Sequence, residues 1–113
     1  MAGCIFCKII AGEIPCKKVY EDDKILCFYD VSPAAPVHVL VIPKEHIPCA
    51  FDISPQNSGI IANIFEAITG IAQTLKLENG FRIVNNCRED GGQTVDHLHF
   101  HVIGGRQMAW PPG

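Results

Sequence analysis

The residues with the clearest chemical potential lie near the C-terminus, in the run His97-Leu98-His99-Phe100-His101-Val102-Ile103. Polar and apolar residues alternate strictly there, the period of a strand with one buried face, so the three imidazoles are expected on a common side. In a helix, His97 and His99 would diverge. Neighbouring members would stand roughly 6.6 Å apart and the outer pair about 13 Å apart at Cα, too far for one metal to hold all three on a straight strand. Three of the five histidines in the chain lie in this run. It can be a polar sheet face, a His-x-His pair feeding a catalytic zinc, or a nucleophilic site. Catalytic zinc is disfavoured because no His-Glu-x-x-His helix is present. What remains is a neutral imidazole attacking phosphorus while its neighbours fix its tautomer and stabilise developing charge. The middle residue, His99, suits the nucleophile.

A second constellation is Cys4-x-x-Cys7. It reads as a metal-binding pair, a thiol redox pair, or two cysteines on a helix by chance. The redox reading is weakened because no strand precedes the motif. The other cysteines, Cys16, Cys27, Cys49 and Cys87, have no partner spacing and are read as core or surface thiols.

These residues need elements to position them. Apolar residues at 5, 6, 9 and 10 suit a short helix ended by Gly12 and Pro15. Lys24 to Asp30 and Val37 to Ile42 are strand-like, with a charged turn at Glu21-Asp22-Asp23 and a connection at Ser32-Pro33 to Pro36. Ser54 as N-cap, Pro55 as first helical residue, and the stripe Ile60, Ile64, Ile68, Ile71 and Leu75 predict one long helix ended by Gly80. Phe81 to Asn86 reads as a strand, Glu89 to Gln93 as a glycine turn, and Leu98 to Ile103 as the last strand. The order implies an α+β fold with a largely antiparallel sheet.

The chain has 113 residues, 48% hydrophobic and 19% charged, which suits one domain over residues 1–113 with a real core. A net charge of −3 argues against binding a nucleic-acid polymer, which needs a basic field; a single nucleotide needs only local donors. No apolar run approaches the ~20 residues of a membrane span, and the first residues lack a secretory signal. A cytoplasmic location is expected, with nuclear entry by diffusion. In that reducing setting, six cysteines read as free thiols or thiolate ligands before they read as disulfides.

The histidine run resembles the histidine triad (HIT) family at every position. Ile5-Phe6-x-Lys8-Ile9, Glu13-Ile14-Pro15, Phe28-x-Asp30-x-Ser32-Pro33, Val41-Ile42-Pro43-Lys44-x-His46-Ile47, Gly91-Gly92-Gln93 and Gly104 to Gly113, ending Trp110-Pro111-Pro112-Gly113, are similar to its Hint branch. The resemblance covers nearly the whole chain. It implies a HIT-like antiparallel sheet of about five strands, with one long and one short N-terminal helix, in a homodimer. The implied activity is that of a purine nucleoside phosphoramidase splitting nucleoside monophosphoramidates and aminoacyl or lysyl adenylates. Two alternatives stay open: a dinucleoside polyphosphate hydrolase, as in the Fhit branch, and a nucleotide-binding interaction protein with incidental turnover.

The resemblance also assigns roles. His99 would form a transient nucleotidyl-histidine, His101 would contact the phosphate, His97 would support the proton network, and His38 would support the orientation of the nucleophile. Thr94, where the branch usually has serine, would retain a hydroxyl toward the phosphate or leaving nitrogen. Asn86 with the backbone of Gly92 and Gln93 would border the phosphate. Asp30 would accept from the ribose hydroxyls, and Ile5, Phe6, Ile9, Phe28, Val31 and Leu40 would wall the base. Without the resemblance, Asp30 reads as a turn residue, His38 as a strand histidine and Gly91-Gly92 as a hairpin turn. Trp110 would reach the partner subunit's site, with Ala109 standing where familiar animal members have histidine. Those members lack Cys4 and Cys7; zinc-binding HIT proteins have such a pair, which implies a structural zinc on Cys4, Cys7, His46 and His97.

Overall fold

The computed structural model describes residues 3–113. Its elements run α1 (Ile5–Ile10), β1 (Lys18–Glu21), β2 (Ile25–Tyr29), β3 (Val37–Pro43), a 3-10 turn (Ala50–Asp52), α2 (Gly59–Thr74), β4 (Phe81–Val84) and β5 (Phe100–Gly104). The five strands form one sheet in the order β1-β2-β3-β5-β4, with every pair antiparallel. The element order predicted this α+β architecture, and the family resemblance implied its five strands.

Strand alternation divides the side chains between two faces. Ile25, Cys27, Val39, Val41, Phe100 and Val102 join Ile64, Ile68, Ile71 and Ala72 of α2 in the larger core. Leu26, Phe28, Leu40 and Ile42 point the other way and pack with Phe6 and Ile9 of α1. Strands β2 and β3 are therefore covered on both faces, which explains their unbroken apolar runs. No helix among the described residues is long and apolar enough to cross a membrane.

Four boundaries differ from the sequence expectations. The first strand, β1, went unread because its four residues lie on a largely exposed edge and carry no apolar alternation. Helix α2 begins at Gly59, not near Pro55. The side chains of Ser54 and Asn57 tie the preceding residues into a turn: Ser54 N–H donates to Asn57 Oδ1 at 2.7 Å and Gln56 N–H to Ser54 Oγ at 3.3 Å. The helix ends at Thr74 and is closed by Lys76, which takes a left-handed φ of 61° while Leu77 N–H reaches back to the Ala72 carbonyl at 2.8 Å. Gly80, with φ of 116°, instead serves the turn into β4.

The fourth difference concerns the histidines. Strand pairing of β5 starts at Phe100, opposite Val41, so His97 and His99 precede the ladder. Continuing it would set Leu98 against Pro43, which has no N–H to give and whose carbonyl is occupied by the His97 ring. Leu98 N–H donates instead to the Ile47 carbonyl at 2.6 Å, and Asn85 Nδ2 donates to the His99 carbonyl at 3.0 Å. The alternation survives: Leu98 enters the α2 core, while His97 and His99 lie against Phe6.

Ile68 is 2% exposed at the centre of the α2 contact. Ile68→Ala should cost about 2–5 kcal/mol of stability, read as a lowered urea midpoint with unchanged slope; a loss below about 1 kcal/mol would contradict this packing.

Candidate functional site

Four histidines and one aspartate meet on the α1 side of β3 and β5, and their partners assign each ring a tautomer. His99 Nδ1 lies 2.7 Å from the His97 carbonyl, an acceptor, so Nδ1 carries the proton and Nε2 keeps a free lone pair. The Phe6 ring stands edge-on to the His99 ring, with centroids 5.2 Å apart. His38 Nδ1 accepts from Ala34 N–H at 3.0 Å, which leaves its Nε2–H to donate to His101 Nδ1 at 2.8 Å. His101 then carries its own proton on Nε2. Thus the ring beside His99 is a donor, and His99 itself is an acceptor.

His38 therefore contacts His101 and not His99, orienting the triad's last member directly. Asp30 places Oδ2 3.5 Å from His38 Nε2 and accepts from Ser32 N–H through Oδ1 at 2.7 Å, so it does close the turn that its sequence position suggested.

A cavity of about 520 Å³ opens beside these groups. Ile5, Phe6, Ile9, Phe28, Val31 and Leu40 line it together with Asp30, Thr94, His99 and His101, so ten residues predicted from the resemblance converge. Val31 sits on the rim, almost wholly exposed. Ile14, Pro15, Cys16, Lys17, Tyr29 and Val95 complete the wall. They were not anticipated: all but Tyr29, at the end of β2, lie in loops, which carry no periodicity, and only the quoted Ile14-Pro15 motif hinted at some of them.

Asn86, Gly92, Gln93 and Trp110 are not part of that lining. Asn86 Nδ2 donates to the Gly91 carbonyl at 2.7 Å, and the N–H groups of Gly92 and Gln93 donate to the carbonyls of Glu89 and Arg88. They build the loop that delivers Thr94. Trp110 is exposed, and the adjacent Ala109 carbonyl accepts from the Arg82 guanidinium.

Cys4, Cys7, His46 and His97 form a second cluster, their ligand atoms all within 4.8 Å of one another. Cys4 Sγ lies 3.4 Å from His97 Nδ1, and Cys7 Sγ lies 3.3 Å from His46 Nδ1 and 3.6 Å from His97 Nδ1. His97 Nε2–H donates to the Pro43 carbonyl at 2.8 Å, which turns the Nδ1 lone pair toward the thiols. Burial pushes the His97 pKa down to about 4 and keeps that ring neutral, as a metal ligand must be.

The geometry agrees with what the chain is similar to. A model of the HIT domain matches residues 11–108. The 14 kDa zinc-binding protein of Brassica juncea is 46% identical over 111 residues, spanning 96% of this chain and 98% of that protein. Protein HitA of Neisseria gonorrhoeae is 42% identical over 104 residues, 92% of this chain and 97% of the relative. The crystal structure of a HIT family hydrolase from Legionella pneumophila Philadelphia 1 superposes with a TM-score of 0.96 at 49% identity, covering 98% of this chain and all of that one. A five-stranded antiparallel sheet presenting spaced histidines to an apolar cavity defines the class, and this chain belongs to the HIT family.

The pKa of His101 is lowered to about 4, first by burial and then by the neighbouring His99 and His38. The unfolded chain, with that group near 6.5, binds more protons between pH 6.5 and 4, so stability is retained above this window and falls on acidification through it. The melting temperature should drop over that range, and His101→Gln should flatten the drop. An unchanged slope in the variant would assign the acid sensitivity elsewhere.

Proposed function

We propose that this protein is a hydrolase that splits the P–N bond of purine nucleoside 5′-monophosphoramidates, and the P–O acyl-phosphate bond of aminoacyl or lysyl adenylates, through a nucleotidyl-His99 intermediate. The observation that carries this reading is the His99 tautomer: its proton is committed to the His97 carbonyl, and its bare Nε2 belongs to a ring lining the cavity. A nucleophile so prepared attacks phosphorus without first losing a proton. The His101 Nε2–H, supplied through His38, donates to the phosphoryl oxygens as charge develops on them. Attack forms the His99–phosphorus bond and breaks the P–N bond, while a proton from water in the cavity passes through the Thr94 hydroxyl to the leaving nitrogen; from an adenylate the P–O bond breaks and the carboxylate leaves as its anion. Water then hydrolyses the nucleotidyl-histidine to the nucleoside monophosphate. The apolar slot between Phe6, Ile9, Phe28 and Leu40 takes the purine, and the Asp30 carboxylate on the same wall accepts from the ribose hydroxyls. The related structure from Legionella pneumophila is described as a hydrolase, which supports the reaction class.

The same reading places a structural zinc on Cys4, Cys7, His46 and His97. With Zn–S near 2.3 Å and Zn–N near 2.0 Å, a tetrahedral S–N edge is about 3.5 Å. The three measured S–N separations run from 3.3 to 3.6 Å. Four protein ligands leave no open position for water, so the ion would hold structure while His99 performs the chemistry. The Brassica juncea relative is named as zinc-binding, which supports the choice of metal.

The active form is proposed to be a cytoplasmic homodimer. Strand β4 has an outer edge that pairs with no strand among the described residues, and Phe81 and Trp110 are exposed, which supports association on that side. In the dimer Trp110, which lies outside the cavity lining of its own chain, would reach the neighbouring site.

His99→Ala should lower turnover of adenosine 5′-phosphoramidate at least about a thousandfold while leaving AMP binding intact. Turnover at the native rate would exclude the histidine intermediate, and faster hydrolysis of diadenosine polyphosphates than of phosphoramidates would exclude the substrate class. Separately, elemental analysis of protein purified without added metal should find about one zinc per chain, and Cys7→Ser should lose it. Metal-free wild-type protein that remains folded and active would remove the zinc site.

A further inference from the structure

One cluster of nucleophilic side chains lies outside the triad and the Cys4–His97 group. Cys49 is buried just before the 3-10 turn, and its Sγ donates to Asp52 Oδ2 at 3.1 Å. Cys87 follows β4, is half-buried, and lies close enough to Cys49 to oppose its ionisation. Both thiols are free.

The two segments are fastened on either side of this pair. Gln93 Nε2 donates to the Pro48 carbonyl at 2.8 Å, and the Arg88 guanidinium lies 4.2 Å from the centroid of the exposed Phe51 ring. Arg88 adopts φ of 58°, a left-handed conformation uncommon for arginine, held by its N–H donating to Gln93 Oε1 at 2.8 Å. A Cβ on Gly91 would run into the Cys87 carbonyl, so the glycine turn presses directly on the Cys87 backbone. The loop that carries Cys87 is thus held against the segment that carries Cys49 and the 3-10 turn.

We propose that Cys49 and Cys87 form a redox couple that closes to a disulfide by exchange with a low-molecular-weight disulfide such as oxidised glutathione, tying the 3-10 turn to the 86–93 loop. Cys87, the more accessible sulfur, attacks first as its thiolate, forming a mixed disulfide and releasing one glutathione thiolate. The Cys49 sulfur then attacks the Cys87 sulfur as its proton passes to the Asp52 carboxylate, forming the protein disulfide and expelling the second glutathione thiolate. Two protein thiols are oxidised and one glutathione disulfide is reduced. The locked loop leads straight into Thr94 and Val95 of the cavity wall, so thiol oxidation restrains one side of the site.

The test is to treat the full-length purified protein with oxidised glutathione and to follow intact mass, peptide linkage and melting temperature. The expected product has lost two hydrogens, yields a Cys49–Cys87 cross-linked peptide, melts roughly 5 °C or more higher, and reverts with dithiothreitol. Cys49→Ser should stop at a stable glutathione adduct on Cys87; Cys87→Ser and Cys87→Ala should give no cross-link at Cys49. A persistent mixed disulfide on Cys87 in the unaltered chain, a cross-link joining any other pair, or six thiols left unreacted would each overturn the proposal. These readouts need no turnover, so they stand apart from the proposed hydrolase reaction.

Discussion

The site depends on how one buried imidazole and its own peptide group are used. His97 is fully buried, its Nε2–H donates to the Pro43 carbonyl, its Nδ1 faces two thiols, and its backbone carbonyl accepts the Nδ1 proton of His99. An unpartnered buried imidazole nitrogen costs about 1–3 kcal/mol, so the polar atoms of His97 admit few alternative arrangements. Moving the ring would abandon the Pro43 bond. Moving the backbone would free His99 to exchange its tautomer and lose the bare Nε2. The tautomer of His99, the proposed nucleophile, is thereby set by a peptide group, a fixed dipole that does not titrate, while the side-chain network of Asp30, His38 and His101 orients the neighbouring ring.

Pro43 makes this possible at the end of β3. A residue with an N–H there would extend the ladder toward Leu98 and draw its carbonyl into ordinary strand pairing. Proline ends the pairing, so its carbonyl is left for His97 and the chain before Phe100 is free to bring His97 and His99 against α1. Asn85 closes the other side by donating a side-chain N–H to the His99 carbonyl. Two local exceptions to sheet geometry therefore set His97 and His99 apart from His38 and His101, which lie on regular strands.

Much of this was legible in the residues, and the remainder was hidden for definable reasons. Alternation from His97 to Ile103 placed Leu98, Phe100 and Val102 in one core and the imidazoles on the other face, because side-chain period is a property of extended backbone whether or not it is hydrogen-bonded. Where pairing begins was not readable, since it depends on Pro43, more than fifty residues away in sequence. The stripe from Ile60 to Leu75 identified α2, yet its start was misplaced because Ser54 and Asn57 satisfy their own turn first. Grouping Cys4 and Cys7 with His46 and His97 came from family resemblance; spacing could supply only the first two. Cys49 and Cys87 carried no sequence signal of proximity, because tertiary contacts between two loops alone bring them together.

The short helix α1 shows how these constraints combine. Six residues are too few to form a stable helix in water, since the cost of nucleation is spread over too few hydrogen bonds. Its position must come from tertiary contacts, and the structure provides two kinds. Phe6 and Ile9 bury themselves against β2 and β3, while Cys4 caps the first turn by accepting from Cys7 N–H at 3.3 Å and shares its cluster with His97. Phe6 and Ile9 also form the cavity wall, and Phe6 lies edge-on to both His97 and His99. That cavity wall is therefore only as well positioned as the junction between α1 and His97. Because the same His97 sets the tautomer of His99, anything that tightens that junction orders the cavity and the His99 ring together.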